Sequence, residues 1–270
     1  MSVVLQVSDT HFGTERAEVV EALLEMAAQQ RPDVIVLSGD ITQRARHAQF
    51  AAARRLVERL SAPALLAIPG NHDIPLFNLA ARVLAPYGAY MRAFGADLEP
   101  SHETQDLLVI GVNTTRAYRH KHGELSSDQI MRVASRLRSA SPRKLRIVVT
   151  HHPMDVPSGT DEADRVRRHA RAAQAWADAG ADLVMGGHIH LPFVRDMRQR
   201  LPQLSRPLWI VQAGTAVSRR VREGAEANSV NVIRYEPAAD PGGCMAERWD
   251  HDPAHACFAQ ADCVRIALHR

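Results

Sequence analysis

Two histidines one residue apart, His188 and His190, close the stretch Asp182–His190, DLVMGGHIH. Side chains alternate along extended backbone, so this spacing lets both rings point the same way. Such a pair suits a metal ion approached from one side, provided the chain supplies further ligands. It does so in four other short clusters. SDTH carries Asp9 and His11, SGD carries Asp40, PGNHD carries Asn71, His72 and Asp73, and THHP carries His151 and His152. Taken singly, each has an ordinary reading, such as an aspartate capping a helix or an asparagine in a turn. Together they are five clusters of Asp, Asn and His, and each follows an apolar run.

The donor types set the chemistry. A carboxylate can bridge two cations with its two oxygens, and that place falls to Asp40. Asp9, His11 and His190 would complete one metal site, and Asn71, His151 and His188 the other. Oxygen and nitrogen donors without thiolate suit Mn, Fe or Zn. Two divalent cations bring +4 and the two aspartates −2, so a hydroxide and a singly charged phosphodiester would match the remainder. A structural zinc site is built differently: closed, mononuclear and usually rich in cysteine.

The elements that must position these groups are legible as apolar runs of strand length. They are VVLQV (3–7), DVIVLS (33–38), ALLAI (64–68), LLVIGV (107–112), LRIVVT (145–150), DLVMG (182–186) and LWIVQA (208–213). Continuous apolar runs read as strands buried on both faces. Helical periodicity predicts helices over 17–30, 48–60, 126–138 and 163–179, the last ending at Gly180. Strand patterns return at 229–235, 244–249 and 263–268. In α/β folds, ligands gather where loops converge beyond the carboxyl ends of strands. The whole chain, 1–270, reads as one domain. Residues 74–105 read as a lid insertion without a clear strand, and 229–270 as C-terminal β structure.

Composition excludes several classes. The chain has 270 residues, 46% hydrophobic and 23% charged, with net charge +3. That is ordinary for a globular α/β protein, and too weak a charge to imply nucleic acid. No run of about 20 apolar residues reads as a membrane span, and MSVVLQVSDTHF does not read as a signal peptide. Three cysteines, Cys244, Cys257 and Cys263, do not form a disulfide framework, and a reducing cytoplasm is expected. They also lack the CxxC pair of a zinc site with His251 or His255.

DTH, GD, GNHD, HHP and GHIH, in this order, resemble the calcineurin-like metallophosphoesterase superfamily, over roughly Val3 to Gly214. SDTH, GHIH and HGELSSDQ (122–129) look most like the bacterial class III cyclic-nucleotide phosphodiesterases. The resemblance implies a four-layer αββα sandwich: two mixed sheets between helices, with a dimetal site at one rim. It assigns Asp9, His11, Asp40 and His190 to the first metal, and Asp40, Asn71, His151 and His188 to the second. His151 rather than His152 is the ligand, because it stands two residues before Pro153 as in the family pattern. His72 would contact the phosphate or assist the leaving group. The chain departs from the GDxxDRG of protein phosphatases, reading GDITQRA, with Gln43 and Ala45. That favours the small-molecule branch.

The expected reaction is hydrolysis of a small phosphodiester such as a cyclic nucleotide, by direct attack of a metal-bridging hydroxide. Metal binding lowers the pKa of water from about 16 to about 7. Asp73 is the expected orienting partner of His72. Of the group Arg219, Arg220 and Arg222, which could reach a substrate phosphate, Arg219 is the expected contact, beside Asn71 and His72. The alternatives are another small phosphoester or pyrophosphate, such as a glycerophosphodiester or UDP-sugar, then a nuclease, then a metal-bound scaffold. The best basic track for a nuclease, RVRRHAR (165–171), reads more simply as an exposed helix face. The resemblance also implies a homodimer, built with the C-terminal strands.

Overall fold

The structure is a computed structural model that describes residues 1–157, 159–225 and 227–270. The first three strands, β1 (Ser2–Val7), β2 (Val34–Ser38) and β3 (Ala64–Ile68), are parallel neighbours. Helices α1 (Ala17–Gln30) and α2 (His47–Leu60) connect them. After the short helices α3 (Leu79–Leu84) and α4 (Gly88–Phe94), a second sheet begins with β4 (Ser101–Glu103) and β5 (Leu107–Val112). It continues through α5 (Ser127–Ser139), β6 (Leu145–Thr150), α6 (His169–Asp178), β7 (Leu183–Gly186), β8 (Phe193–Asp196) and β9 (Trp209–Gln212). The chain then returns to the first sheet with β10 (Ser229–Tyr235), β11 (Gly243–Asp252) and β12 (Cys257–Ala267). The strand orders are β12-β11-β10-β1-β2-β3 and β4-β5-β6-β7-β9-β8. Both sheets are mixed: β10 pairs antiparallel with β1, and β4 and β8 pair antiparallel with β5 and β9.

The alternation of each strand divides the core into three layers of side chains. Val3, Leu5 and Val7 of β1 face α1 and α2, packing with Leu23, Met26, Phe50 and Leu56. Val4, the intervening residue, faces the other sheet with Val36, Ile68, Val109, Ile147 and Met185. Leu108, Ile110 and Val148 turn outward onto Ile130, Val133, Leu137 and Trp176 of α5 and α6. The expected αββα sandwich is therefore present. Gln6, buried between the sheets, fastens them near one rim. Its Nε2 donates to the Gly186 carbonyl at 2.9 Å and to Ser38 Oγ at 3.0 Å.

Three elements depart from expectation. The helix predicted over 163–179 starts only at His169. Val166 N–H donates to the Pro153 carbonyl and Arg167 N–H to Gly123, which draws 165–168 out as an irregular strap. Arg168 then turns through left-handed backbone, φ 68°. RVRRHAR is thus not one exposed helix face, and Arg165 and Arg168 are tied to Glu162 and the Leu125 carbonyl. The 74–105 region contains α3, α4 and the short strand β4. The C-terminal hairpin is longer than its apolar pattern, because β12 is an exposed edge strand whose middle carries Ala259–Asp262. No helix among the described residues is long and apolar enough to cross a membrane.

Candidate metal centre and active site

The parallel strands of both sheets end at the same rim. β1 delivers Asp9 and His11, β2 Asp40, β3 Asn71 and His72, β6 His151, and β7 His188 and His190. The loops after β1 and β2 remain bonded to each other, through Asp9 N–H to Gly39 and His11 N–H to Asp40. Asp9, His11, Asp40, His188 and His190 all adopt left-handed backbone, with φ of 52°, 42°, 47°, 75° and 55°. For residues with a Cβ this conformation is strained, and such strain collects at functional sites. Gly187 allows the close approach of the fifth cluster. A Cβ there would sit 2.2 Å from Ser8 Oγ and 2.5 Å from Asp9 Oδ2.

All seven expected ligands come together. His11 Nε2 and His190 Nε2 lie 3.0 Å apart, and His190 Nε2 is 3.2 Å from Asp9 Oδ1. Asp40 Oδ2 is 3.7 Å from His11 Nε2. Its Oδ1 is 3.3 Å from His151 Nε2, itself 3.3 Å from Asn71 Oδ1. The His188 ring stands 5.2 Å from that of His151, centroid to centroid. Donors bound at about 2.1 Å to one ion lie roughly 3.0–3.4 Å apart at octahedral or tetrahedral angles, so this spacing fits cation binding.

The hydrogen bonds around the rings leave lone pairs facing inward. His151 Nδ1 is bonded to the Ser38 carbonyl at 2.9 Å, and His190 Nδ1 to the Arg220 carbonyl at 2.7 Å. Fixing Nδ1–H this way presents Nε2 as a donor to a metal. His11 Nδ1 and both ring nitrogens of His188 are buried without a hydrogen-bond partner among the described residues. Both nitrogens of His152 are taken, by Thr114 Oγ1 at 2.7 Å and the Lys121 carbonyl at 2.9 Å.

Electrostatics point the same way. Burial alone would raise the Asp40 carboxyl, but His151 and His72 hold it well below the usual range. Burial lowers His11 to about 3, against the pull of Asp40 and Asp9. Burial also opposes charge on His151, yet Asp40 raises it to about 9. Without cations, protons on His151 and His190 supply the positive charge that the carboxylates demand. A buried set of two carboxylates, an amide oxygen and neutral-capable imidazoles, with ring nitrogens unpartnered, fits two divalent ions.

Two expectations about neighbouring residues are corrected. Asp73 does not orient the His72 ring. Its carboxylate accepts from the backbone of Ile41, Thr42 and Gly70 at 3.0, 2.8 and 2.9 Å and from Thr42 Oγ1, bracing the loops. The His72 ring is instead held by the Gln43 carbonyl, 3.0 Å from Nδ1. Arg219 lines a separate shallow groove with Arg16, Glu18 and His251. Its neighbour Arg220 instead reaches His72, with Nη1 3.4 Å from Nε2. The sequence groups Arg220 with Arg219 and Arg222 without singling it out, and it gives no sign of Asp164, whose Oδ1 is 3.6 Å from His188 Nε2. A surface cavity of about 890 Å³ lies at the opposite rim beside Arg143, Tyr235 and Arg270, away from all of these groups.

The family model for calcineurin-like phosphoesterase matches residues 2–192. A cAMP/cGMP dual specificity phosphodiesterase of Mycobacterium tuberculosis is 32% identical over 210 residues, 70% of this chain and 61% of the relative. The match thus spans about three-fifths of that relative's length. The 3',5'-cyclic adenosine monophosphate phosphodiesterase CpdA of Pseudomonas aeruginosa is 28% identical over 238 residues, 78% of this chain and 77% of the relative. Among solved structures, a dimetal phosphatase from Danio rerio superposes with TM-score 0.65 at 11% identity over 99% of each chain, a likeness of fold alone. The chain belongs to the calcineurin-like phosphoesterase family, whose members depend on two metal ions.

Proposed function

We propose that this protein hydrolyses small phosphodiesters, cyclic nucleotides first among them, with two divalent cations as cofactors. The observation that carries the reading is the convergence of Asp9, Asp40, Asn71 and four imidazoles in one buried cleft. The names of the relatives support the cyclic-nucleotide choice. Asp9, His11, Asp40 and His190 would hold one cation, and Asp40, Asn71, His151 and His188 the other. When bound, the cations make a water nucleophilic near neutral pH and offset charge on the phosphate.

The rest is done by the chain. The carbonyls of Ser38 and Arg220 hold the Nδ1 protons of His151 and His190, so Nε2 is the nitrogen each ring offers to a cation, which would displace the proton bound there in the empty site. Ser8 Oγ and the His188 N–H hold the Asp9 carboxylate, and the His72 N–H holds Asp40. His72 presents Nε2 to the cleft, 4.0 Å from Asp40 Oδ2, where it meets the phosphate or the departing oxygen. Mn, Fe and Zn all suit the donors. The exposed edge of β12 supports a homodimer, and the place of Ile74 and Leu76 in a small pocket with Asn71 and His72 supports a lid role for 74–105.

The test is turnover of bis(p-nitrophenyl) phosphate with manganese by wild type, Asp40→Ala and Asn71→Ala. Loss of at least about a hundredfold is expected in each variant, as for removal of a group that stabilises transition-state charge. Persistent turnover in either variant would sink the dimetal reading. A panel of 3',5'-cyclic AMP, 2',3'-cyclic AMP, glycerophosphodiesters and UDP-sugars then ranks the substrates. A glycerophosphodiester or UDP-sugar turned over well above both cyclic nucleotides would replace the cyclic-nucleotide choice.

A further inference from the structure

The cations around the cleft are not equivalent. Arg119 is paired with Glu124, Lys121 with Asp164 and Arg222 with Asp161. Arg44 is turned onto the Phe77 ring, 5.2 Å from its centroid. Arg220 differs from all of them. Its Nη1 is 2.9 Å from Gln43 Oε1 and 3.4 Å from His72 Nε2. It has no carboxylate partner among the described residues, and its Nε and Nη2 have no hydrogen-bond partner there. The side chain is exposed at the mouth of the cleft.

The arrangement is built from both sides. A guanidinium only donates, so its contact with His72 uses the Nε2 lone pair, and the ring proton sits on Nδ1 facing the Gln43 carbonyl. Gln43 therefore holds His72 by its backbone and Arg220 by its side chain. The Arg220 carbonyl meanwhile accepts from His190 Nδ1. One residue thus turns its carbonyl to the candidate metal cage and its guanidinium to the histidine opposite. An arginine bonded to a neutral amide gives up that bond more readily than one in an ion pair, because a carboxylate adds the attraction of an opposite charge.

We propose that Arg220 binds a non-bridging oxygen of the substrate phosphate, with Gln43 as the neutral partner that keeps its guanidinium beside His72 until substrate arrives. This rests on the phosphoesterase reading above and adds a charge preference to it. A phosphate dianion gains more from Arg220 than a phosphodiester monoanion does. Lysine would keep the charge but lose the planar fork.

The experiment compares wild type, Arg220→Ala and Arg220→Lys at equal manganese content, with Arg54→Ala on the exposed face of α2 as control. kcat/KM is measured for p-nitrophenyl phosphate and bis(p-nitrophenyl) phosphate, and binding of inorganic phosphate by calorimetry. Arg220→Ala is expected to lower kcat/KM about thirtyfold for the monoester and about fivefold for the diester, chiefly through KM. Inorganic phosphate binding should weaken by about the same factor as the monoester, with Arg220→Lys intermediate. Values within about twofold of wild type throughout, or equal losses on both esters, overturn the proposal. If the alanine variant fails to hold metal, the lysine variant decides, and its parity with wild type overturns the proposal. Absence of turnover by wild type on both esters would instead sink the phosphoesterase reading, and phosphate binding alone would then judge Arg220.

Discussion

At the rim where the strands begin, Asp182 is buried and surrounded by arginines. It accepts from Arg206 Nη2 at 2.9 Å, from Arg270 Nη1 at 3.1 Å and from the Arg146 backbone at 2.9 Å. At the rim where the strands end, Asp9 and Asp40 are equally buried but face histidines. A guanidinium carries a fixed charge and has no lone pair, so the Asp182 cluster is complete as it stands. An imidazole can exchange its proton for a metal, so the Asp9 and Asp40 cluster stays open to cations. Burial of a carboxylate does not by itself mark a site. The chemistry of the partner does.

This contrast can be broken by mutation. Asp182→Ala leaves the buried Arg146 and the partly buried Arg206 without their counter-charge and should destabilise the fold by about 3 kcal/mol in urea unfolding. Its manganese stoichiometry should be unchanged, and loss of metal would show that the two rims are not independent. A smaller effect separates the rims by ligand. Manganese at about 100 times its Kd should stabilise the wild type by about 2.7 kcal/mol per site, and Asp40→Ala by much less. Equal stabilisation of both proteins would remove Asp40 from the cage.

A further test is a drift with pH in chelated protein. His151 is raised from 6.5 to about 9, and the carboxylates are ionised throughout that window. A raised histidine contributes stability that is full below about 6.5 and lost as pH rises through about 9. The melting temperature of metal-free protein should therefore fall across this range. With manganese the slope should flatten or reverse, because metal replaces the proton. Parallel curves with and without metal would contradict the exchange of proton for cation.

The parts legible in the sequence are those where one physical rule dominates. Runs buried on both faces gave the seven principal strands of the two sheets, and the 3.6-residue period gave α1, α2 and α5. β4 and β8 escaped because they are short and partly exposed, so neither length nor burial marks them. The start of α6 escaped because long-range bonds from Val166 and Arg167 override the helical propensity of an Ala- and Arg-rich segment. Around the site, residue type identified the groups that could bind cations but not what each neighbour touches. Asp73 braces backbone, and Arg220 rather than Arg219 meets His72. Such facts depend on the side to which a loop residue turns, and no local pattern carries that information.

The left-handed backbone at Asp9, His11, Asp40, His188 and His190 has a practical consequence. Glycine would accept each of these conformations with less strain, at roughly 1–2 kcal/mol per position. A laboratory search for heat-resistant variants, scored on stability alone, would drift toward glycine there. It would strip the cleft of its donors long before it disturbed the layers of aliphatic side chains beneath.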